Sequence, residues 1–164
     1  MDLSHVEAMF FTAMQAGYAV EGVSKAQVTD MPGHKEIRYE EKPDFLFVDR
    51  WCVNPDSEKS AGTTTIWYQS KPVWFMSYGG VYPQAYIPFL KLALRRQYCE
   101  DGHFNGGRGP ATLVDQASGL IYMNRPKLNE FSQFRGREEL FGIPRGGCVA
   151  ELAGYHEYWG MSLI

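Results

Sequence analysis

The sequence predicts an α+β fold: a single domain built on a curved antiparallel sheet with two helices packed on one side. Three observations lead there. Helical spacing of apolar residues occurs in only two short stretches, around Val6–Met14 and Phe89–Leu94. Between and after them, β-branched and aromatic residues alternate with polar ones, as in half-buried strands. The resulting order, helix then strands then helix then strands, has no regular βαβ alternation, which disfavours a parallel nucleotide-binding sheet. The 164 residues suit one domain, and no repeat, low-complexity tract or long linker divides them.

Taken in order, Ser4-His5-Val6-Glu7 reads as a capping box with Ser4 as N-cap, and Leu3, Val6, Phe10 and Met14 supply the apolar stripe of a helix over residues 4–16. Residues 20–28 form a weak strand candidate. Ile37 and Tyr39 place a half-exposed strand at 35–41, and Phe45, Phe47 and Trp51 place another at 44–52. Asn54-Pro55-Asp56-Ser57 is a loop. Residues 63–69 and 72–78 read as a hairpin turning through Ser70-Lys71, ended by Gly79-Gly80. A second helix is expected at 84–98, with Pro83 or Pro88 in its first turn and Phe89, Leu90, Ala93 and Leu94 toward the core. Residues 100–110 read as a glycine-rich loop. Strands follow at 112–116, 132–141 and 147–158, with a short one at 120–123.

Charge and composition exclude several roles. A net charge of −3, with basic residues scattered apart from Arg95-Arg96, gives no field for nucleic-acid binding by this chain. Cys52, Cys99 and Cys148 are odd in number and far apart, so neither a disulfide framework nor a zinc site is expected; buried thiols in a reducing cytoplasm are. The N-terminal residues do not read as a signal peptide, and no apolar run is long enough to span a membrane. The expected location is cytoplasmic, with no metal and no cofactor.

Catalytic motifs are sparse. Gly106-Gly107-Arg108-Gly109-Pro110 lacks the Gly-Lys-Ser/Thr ending of a phosphate loop, although Arg108 is suited to an anionic group. Glu138 and Glu139 are neighbours on a strand and therefore point to opposite faces. His156 shares a face with Tyr158, and a histidine near carboxylates suits general-base work, though a satisfied strand histidine is the commoner case. A Cys-His site is open only if partners meet in space, and the surroundings of Cys52 and Cys148 favour inert thiols. With aromatic residues at 15%, Trp51, Trp67, Trp74, Tyr78, Tyr155 and Trp159 either fill the core or, with polar company, line a small-molecule pocket. The candidate ligand-binding residues are Arg50, Trp51, Trp74, Tyr78, Arg108, Glu138 and His156.

Several segments carry a family resemblance. They are Tyr39 with Asp49-Arg50-Trp51, the run from Trp67 to Gly80, Phe89 to Leu94, Arg108-Gly109-Pro110, Phe134 to Glu139, and Val149 to His156. Together, over residues 35–160, they resemble the bacterial family of the domain of unknown function 5680. The sequence departs from that family by carrying Glu157-Tyr158 where a glycine pair is expected after the histidine. The resemblance implies a compact α+β domain without established activity, and a regulatory setting, because family members also occur behind helix-turn-helix domains. The leading expectation is a small-molecule binding or sensory module. An enzyme using His156, Glu138 or Cys148 is the alternative, and a protein-interaction domain, as a homodimer for example, is the third.

Overall fold

The computed structural model of the chain describes residues 2–19, 25–143 and 147–164. Helix α1 (Leu3–Met14) starts two residues earlier than the capping box implies. Its N-cap is Asp2, whose carboxylate accepts the Ser4 amide at 3.2 Å, and an acidic side chain there also meets the positive end of the helix dipole. Val6, Met9, Phe10, Ala13 and Met14 form its buried stripe. Helix α2 (Ile87–Arg96) carries Pro88 in its first turn and buries Phe89, Leu90, Ala93 and Leu94, as expected. Each helix runs on into a wider five-residue turn, and the one after α2 stops at Gly102 with φ 62°.

Among the described residues, nine strands follow one another: β1 (Ala26–Gln27), β2 (His34–Glu41), β3 (Phe45–Val53), β4 (Lys59–Tyr68), β5 (Lys71–Val81), β6 (Thr112–Asp115), β7 (Leu120–Glu130), β8 (Gln133–Gly142) and β9 (Glu151–Ser162). Most of the candidate strand at 20–28 lies outside the described residues; Ala26–Gln27 is the part seen as strand. The β4–β5 hairpin turns one residue earlier than expected, at Gln69-Ser70, because Tyr68 pairs with Lys71. Both turn residues have positive φ (48° and 64°), a geometry whose twist matches that of the flanking strands. Strand β7 is far longer than the short strand expected. It contains Pro126, which sits at a register shift where a missing N–H is tolerated. The last strand begins at Glu151 and not at 147, so Cys148 precedes it.

All the pairings are antiparallel, in the order β1-β2-β3-β4-β5-β9-β8-β7-β6, and the curved sheet does not close on itself. It consists of two meanders, β1–β5 and β6–β9, joined where β5 meets β9. The connection between them is α2 and the loop 102–111. Both helices lie on one side of the sheet and share its core with Phe47, Ile66, Trp74, Met76, Phe134 and Leu140. No helix among the described residues is long and apolar enough to cross a membrane.

Candidate functional site

The register of the sheet fixes which side chains share a row on its helix-covered face, because paired residues of neighbouring strands point the same way. One row runs Ser60 (β4), Gly80 (β5), His156 (β9), Glu138 (β8), Asn124 (β7). The adjacent row includes Gly62, Tyr78, Tyr158 and Gly136. Tyr78 lies over Gly62 and Tyr158 over Gly136, so closely that a Cβ on either glycine would meet the opposing ring at 2.6 Å and 2.7 Å. The rings therefore lie flat along the sheet and leave room above it for the chain that crosses.

That chain is residues 105–110, and all six are buried. A buried loop must find partners for its backbone. Here side chains of the sheet, together with Tyr98 and the loop's own Asn105, supply them. The Asn105 carbonyl accepts from Asn124 Nδ2 (2.8 Å), and the Gly109 carbonyl accepts from both Asn105 (2.8 Å) and Asn124 (3.0 Å). The Gly106 amide donates to Asn129 Oδ1 (2.7 Å), and the Gly107 carbonyl accepts from the Tyr98 hydroxyl (2.8 Å). The Gly109 amide donates to the Tyr122 hydroxyl (3.0 Å). Gly106 and Gly107 have φ of 64° and 66°, which favours glycine at both. The segment is a loop, as its glycines imply, and it is a buried one.

The loop delivers Arg108 onto Glu138. Nε donates to Glu138 Oε1 at 3.0 Å, and Nη2 donates to the same oxygen. Tyr122 donates to Oε2 at 2.5 Å, and His156 Nδ1 lies 3.1 Å from Oε1. On the other side of the imidazole, Nε2 is 3.2 Å from Ser60 Oγ. Glu138 is wholly buried, Arg108 is 3% exposed and His156 is 5% exposed. Burial raises the Glu138 pKa, but the Arg108 charge and the His156 and Arg108 hydrogen bonds outweigh it and bring the group down to about 2. Burial, reinforced by Arg108, lowers the His156 pKa against the opposing pull of Glu138. Burial is the leading influence lowering the pKa of Arg108, yet Glu138 holds its guanidinium firmly charged. Nearby, Asp49 accepts from Thr64 and from Tyr78, each at 2.9 Å. The Tyr82 hydroxyl is buried without a hydrogen-bond partner among the described residues, and its ring meets the His156 ring edge-on at 4.7 Å.

A cavity of about 880 Å³ opens between α2 and this face of the sheet. Its lining includes Ser60, Tyr78, Tyr82, Arg108 and His156, with Trp51 beside them and Ile87, Leu90 and Leu94 from α2. Lys25, Lys35, Lys59 and Lys91 line it too, against the carboxylates of Asp56 and Glu58. Lys25 Nζ sits 5.0 Å from the centre of the Trp51 ring. Although much of its surface remains in water, desolvation of this tip, followed by repulsion from Lys91 and Lys35, lowers the Lys25 pKa.

Four of the seven sequence candidates (Trp51, Tyr78, Arg108 and His156) thus line one cavity, and Glu138 stands directly behind it. Two lie elsewhere. Trp74 is completely buried, stacked on Phe131 and Phe134 with its indole N–H donated to the Phe131 carbonyl at 3.0 Å. Arg50 points to the opposite face of the sheet, where it pairs with Glu36, its cross-strand neighbour, at 2.7 Å. The expectation of buried thiols also needs correcting. Cys99 and Cys148 are exposed and Cys52 is half-buried, because Cys148 precedes its strand and Cys99 lies in the turn after α2. Ser60, Tyr82, Tyr122, Asn124 and the lysines were not singled out from sequence. Only strand register, invisible before pairing is known, aligns them. No group of three or more potential metal ligands occurs among the described residues. No family model, curated protein or solved structure matches the chain.

Proposed function

We propose that the protein binds a small, flat, negatively charged molecule in the cavity beneath α2. The observation that carries this reading is the pairing of aromatic walls, Trp51, Tyr78 and Tyr82, with a lysine collar above a buried polar floor. Such a cavity suits a ligand with one apolar plane and one anionic end. Gathering Lys25, Lys35 and Lys91 costs Coulomb energy that an anion would relieve. The regulatory company of the resembling family supports a sensory role for the binding event, in the cytoplasm.

The test is titration with 8-anilinonaphthalene-1-sulfonate, a flat aromatic anion. One probe should bind per chain, with affinity falling as salt rises, and Trp51→Ala or Lys25→Ala should weaken it by about tenfold or more, equivalent to 1.4 kcal/mol. Absence of saturable binding, or binding indifferent to both substitutions, refutes the reading. Native mass spectrometry of protein purified from its own host then identifies a ligand retained in the cavity.

A further inference from the structure

We propose that Ser60, His156 and Glu138 form a nucleophile–base–carboxylate triad, and that the cavity is the site of acyl transfer from an ester bearing a negative charge. This rests on the cavity admitting a small anion, as argued above, and adds a reaction to it.

Geometry comes first. Ser60, His156 and Glu138 stand in one row across the sheet, and Gly80 occupies the position between Ser60 and His156. With no side chain intervening, the imidazole reaches over Gly80 to Ser60. The hydrogen bonds then select a tautomer. Glu138, ionised by its partners, only accepts, so the Nδ1 proton of His156 is held by Oε1 at 3.1 Å. Arg108 Nη2, at 3.3 Å from the same Nδ1, is the longer contact and already has Glu138 as its acceptor. Nε2 is therefore left with its lone pair facing the Ser60 hydroxyl at 3.2 Å. A neutral imidazole oriented by a carboxylate and aimed at a serine is the arrangement that activates a weak nucleophile. Ser60 is half-buried and lines the cavity, as does His156. Arg108 Nη1 makes no hydrogen bond to a described residue, which leaves a donor for the oxyanion.

The step balances without a further reagent besides water. Ser60 Oγ bonds to the ester carbonyl carbon while its proton passes to His156 Nε2. Collapse of the tetrahedral species breaks the carbon–oxygen bond to the leaving group, which takes that proton and departs as an alcohol. Water, deprotonated by the same nitrogen, attacks the acyl-serine. The products are a carboxylic acid and regenerated Ser60, with the proton returned to the Oγ. The lysines favour an ester whose acyl or alcohol part is anionic. Ser60 and His156 are the catalytic residues; Glu138 positions the imidazole.

The test is covalent. Incubation with diisopropyl fluorophosphate, read by intact and peptide mass spectrometry, should place one diisopropylphosphoryl group on Ser60, with loss of fluoride. Ser60→Ala should abolish the adduct, and His156→Gln should slow its formation by roughly 10³-fold or more. The groups facing the imidazole are Glu138 from β8, Arg108 from the crossing loop, Ser60 from β4, the ring of Tyr78 from β5 and that of Tyr82 just after it. Labelling should accordingly fail as His156 is protonated at acid pH. In Glu138→Gln, stripped of the carboxylate, that limb should move to still lower pH and the plateau should fall; an unmoved limb marks Glu138 as merely structural and overturns its positioning role. Mono-p-nitrophenyl succinate should be hydrolysed with kcat/KM about tenfold above p-nitrophenyl acetate at low salt, and equal values overturn the anionic substrate class. An unmodified Ser60, or labelling indifferent to His156→Gln, overturns the triad. If the sulfonate probe still binds in that event, the binding reading stands and only the reaction is lost.

Discussion

The helix-covered face of the sheet has two ends built on opposite principles. At one, Trp74 stacks on Phe131 and Phe134 and meets Phe10, and its indole N–H donates to the Phe131 carbonyl. At the other, Arg108, Glu138, Tyr122 and His156 are as deeply buried, but every one of them is held by hydrogen bonds. The apolar end is governed by shape, so that swaps conserving volume are tolerated. The polar end is governed by complete pairing, so that loss of one member leaves the others charged or unsatisfied in a low dielectric. A protein gains nothing in stability from such a cluster over a hydrophobic core. Its presence beside a cavity is what makes it a functional candidate.

The largest effect should come from breaking the polar end alone. Glu138→Ala strands the Arg108 guanidinium and the Tyr122 hydroxyl, and should lower unfolding free energy by about 3–5 kcal/mol in urea titrations. Replacing both charges, as in Arg108→Met with Glu138→Leu, should recover most of that loss. If the double variant is as unstable as the single one, the contrast between the two ends fails. Acid provides a second, somewhat smaller probe. The Glu138 pKa is depressed from 4.5 to about 2, so its contribution, on the order of 3 kcal/mol, is present above pH 4.5 and is lost as pH falls toward 2. His156 is also depressed, from 6.5, so stability begins to fall below that pH, as the unfolded chain takes up a proton the native imidazole resists. Both slopes have the same sign, and thermal melts between pH 7 and 3 should show two descending limbs, the lower one missing in Glu138→Gln. The smallest effect, and the only stabilising one, belongs to Tyr82→Phe. It removes a buried hydroxyl without a partner and should raise stability by about 1 kcal/mol in differential scanning calorimetry.

How much of this was legible before folding varies with the range of the interactions involved. Both helices, β2, β3 and the β4–β5 hairpin follow from local periodicity, and their cores match the apolar stripes. Strand β7 was concealed by Pro126, whose cost vanishes only at a register shift that the partner strand creates. Among the site candidates, Arg108, Glu138 and His156 stood out as polar groups in aromatic surroundings, yet 48 positions separate the furthest two and no spacing rule joins them. Trp74 and Trp51 look alike as strand tryptophans. One is sealed by Phe131 and Phe134, the other is left at an opening, and only the tertiary placement of the β7–β8 turn and β8 over Trp74 separates them. Ser60 carried no signal at all, being a serine in a polar stretch until β4 is laid two strands from β9.

The junction between β5 and β9 has a consequence for how the molecule assembles. Each meander forms from neighbours in sequence, so its pairings close short loops. The junction closes the whole span between Val81 and Tyr155, an entropic cost of roughly 4 kcal/mol by loop-closure scaling, and contacts so remote are slow to form. Ser60 belongs to the first meander, His156 and Glu138 to the second, and Arg108 to the passage between them. Neither half contains the constellation. It comes into being when the two halves meet, which makes completion of folding and acquisition of the site a single event.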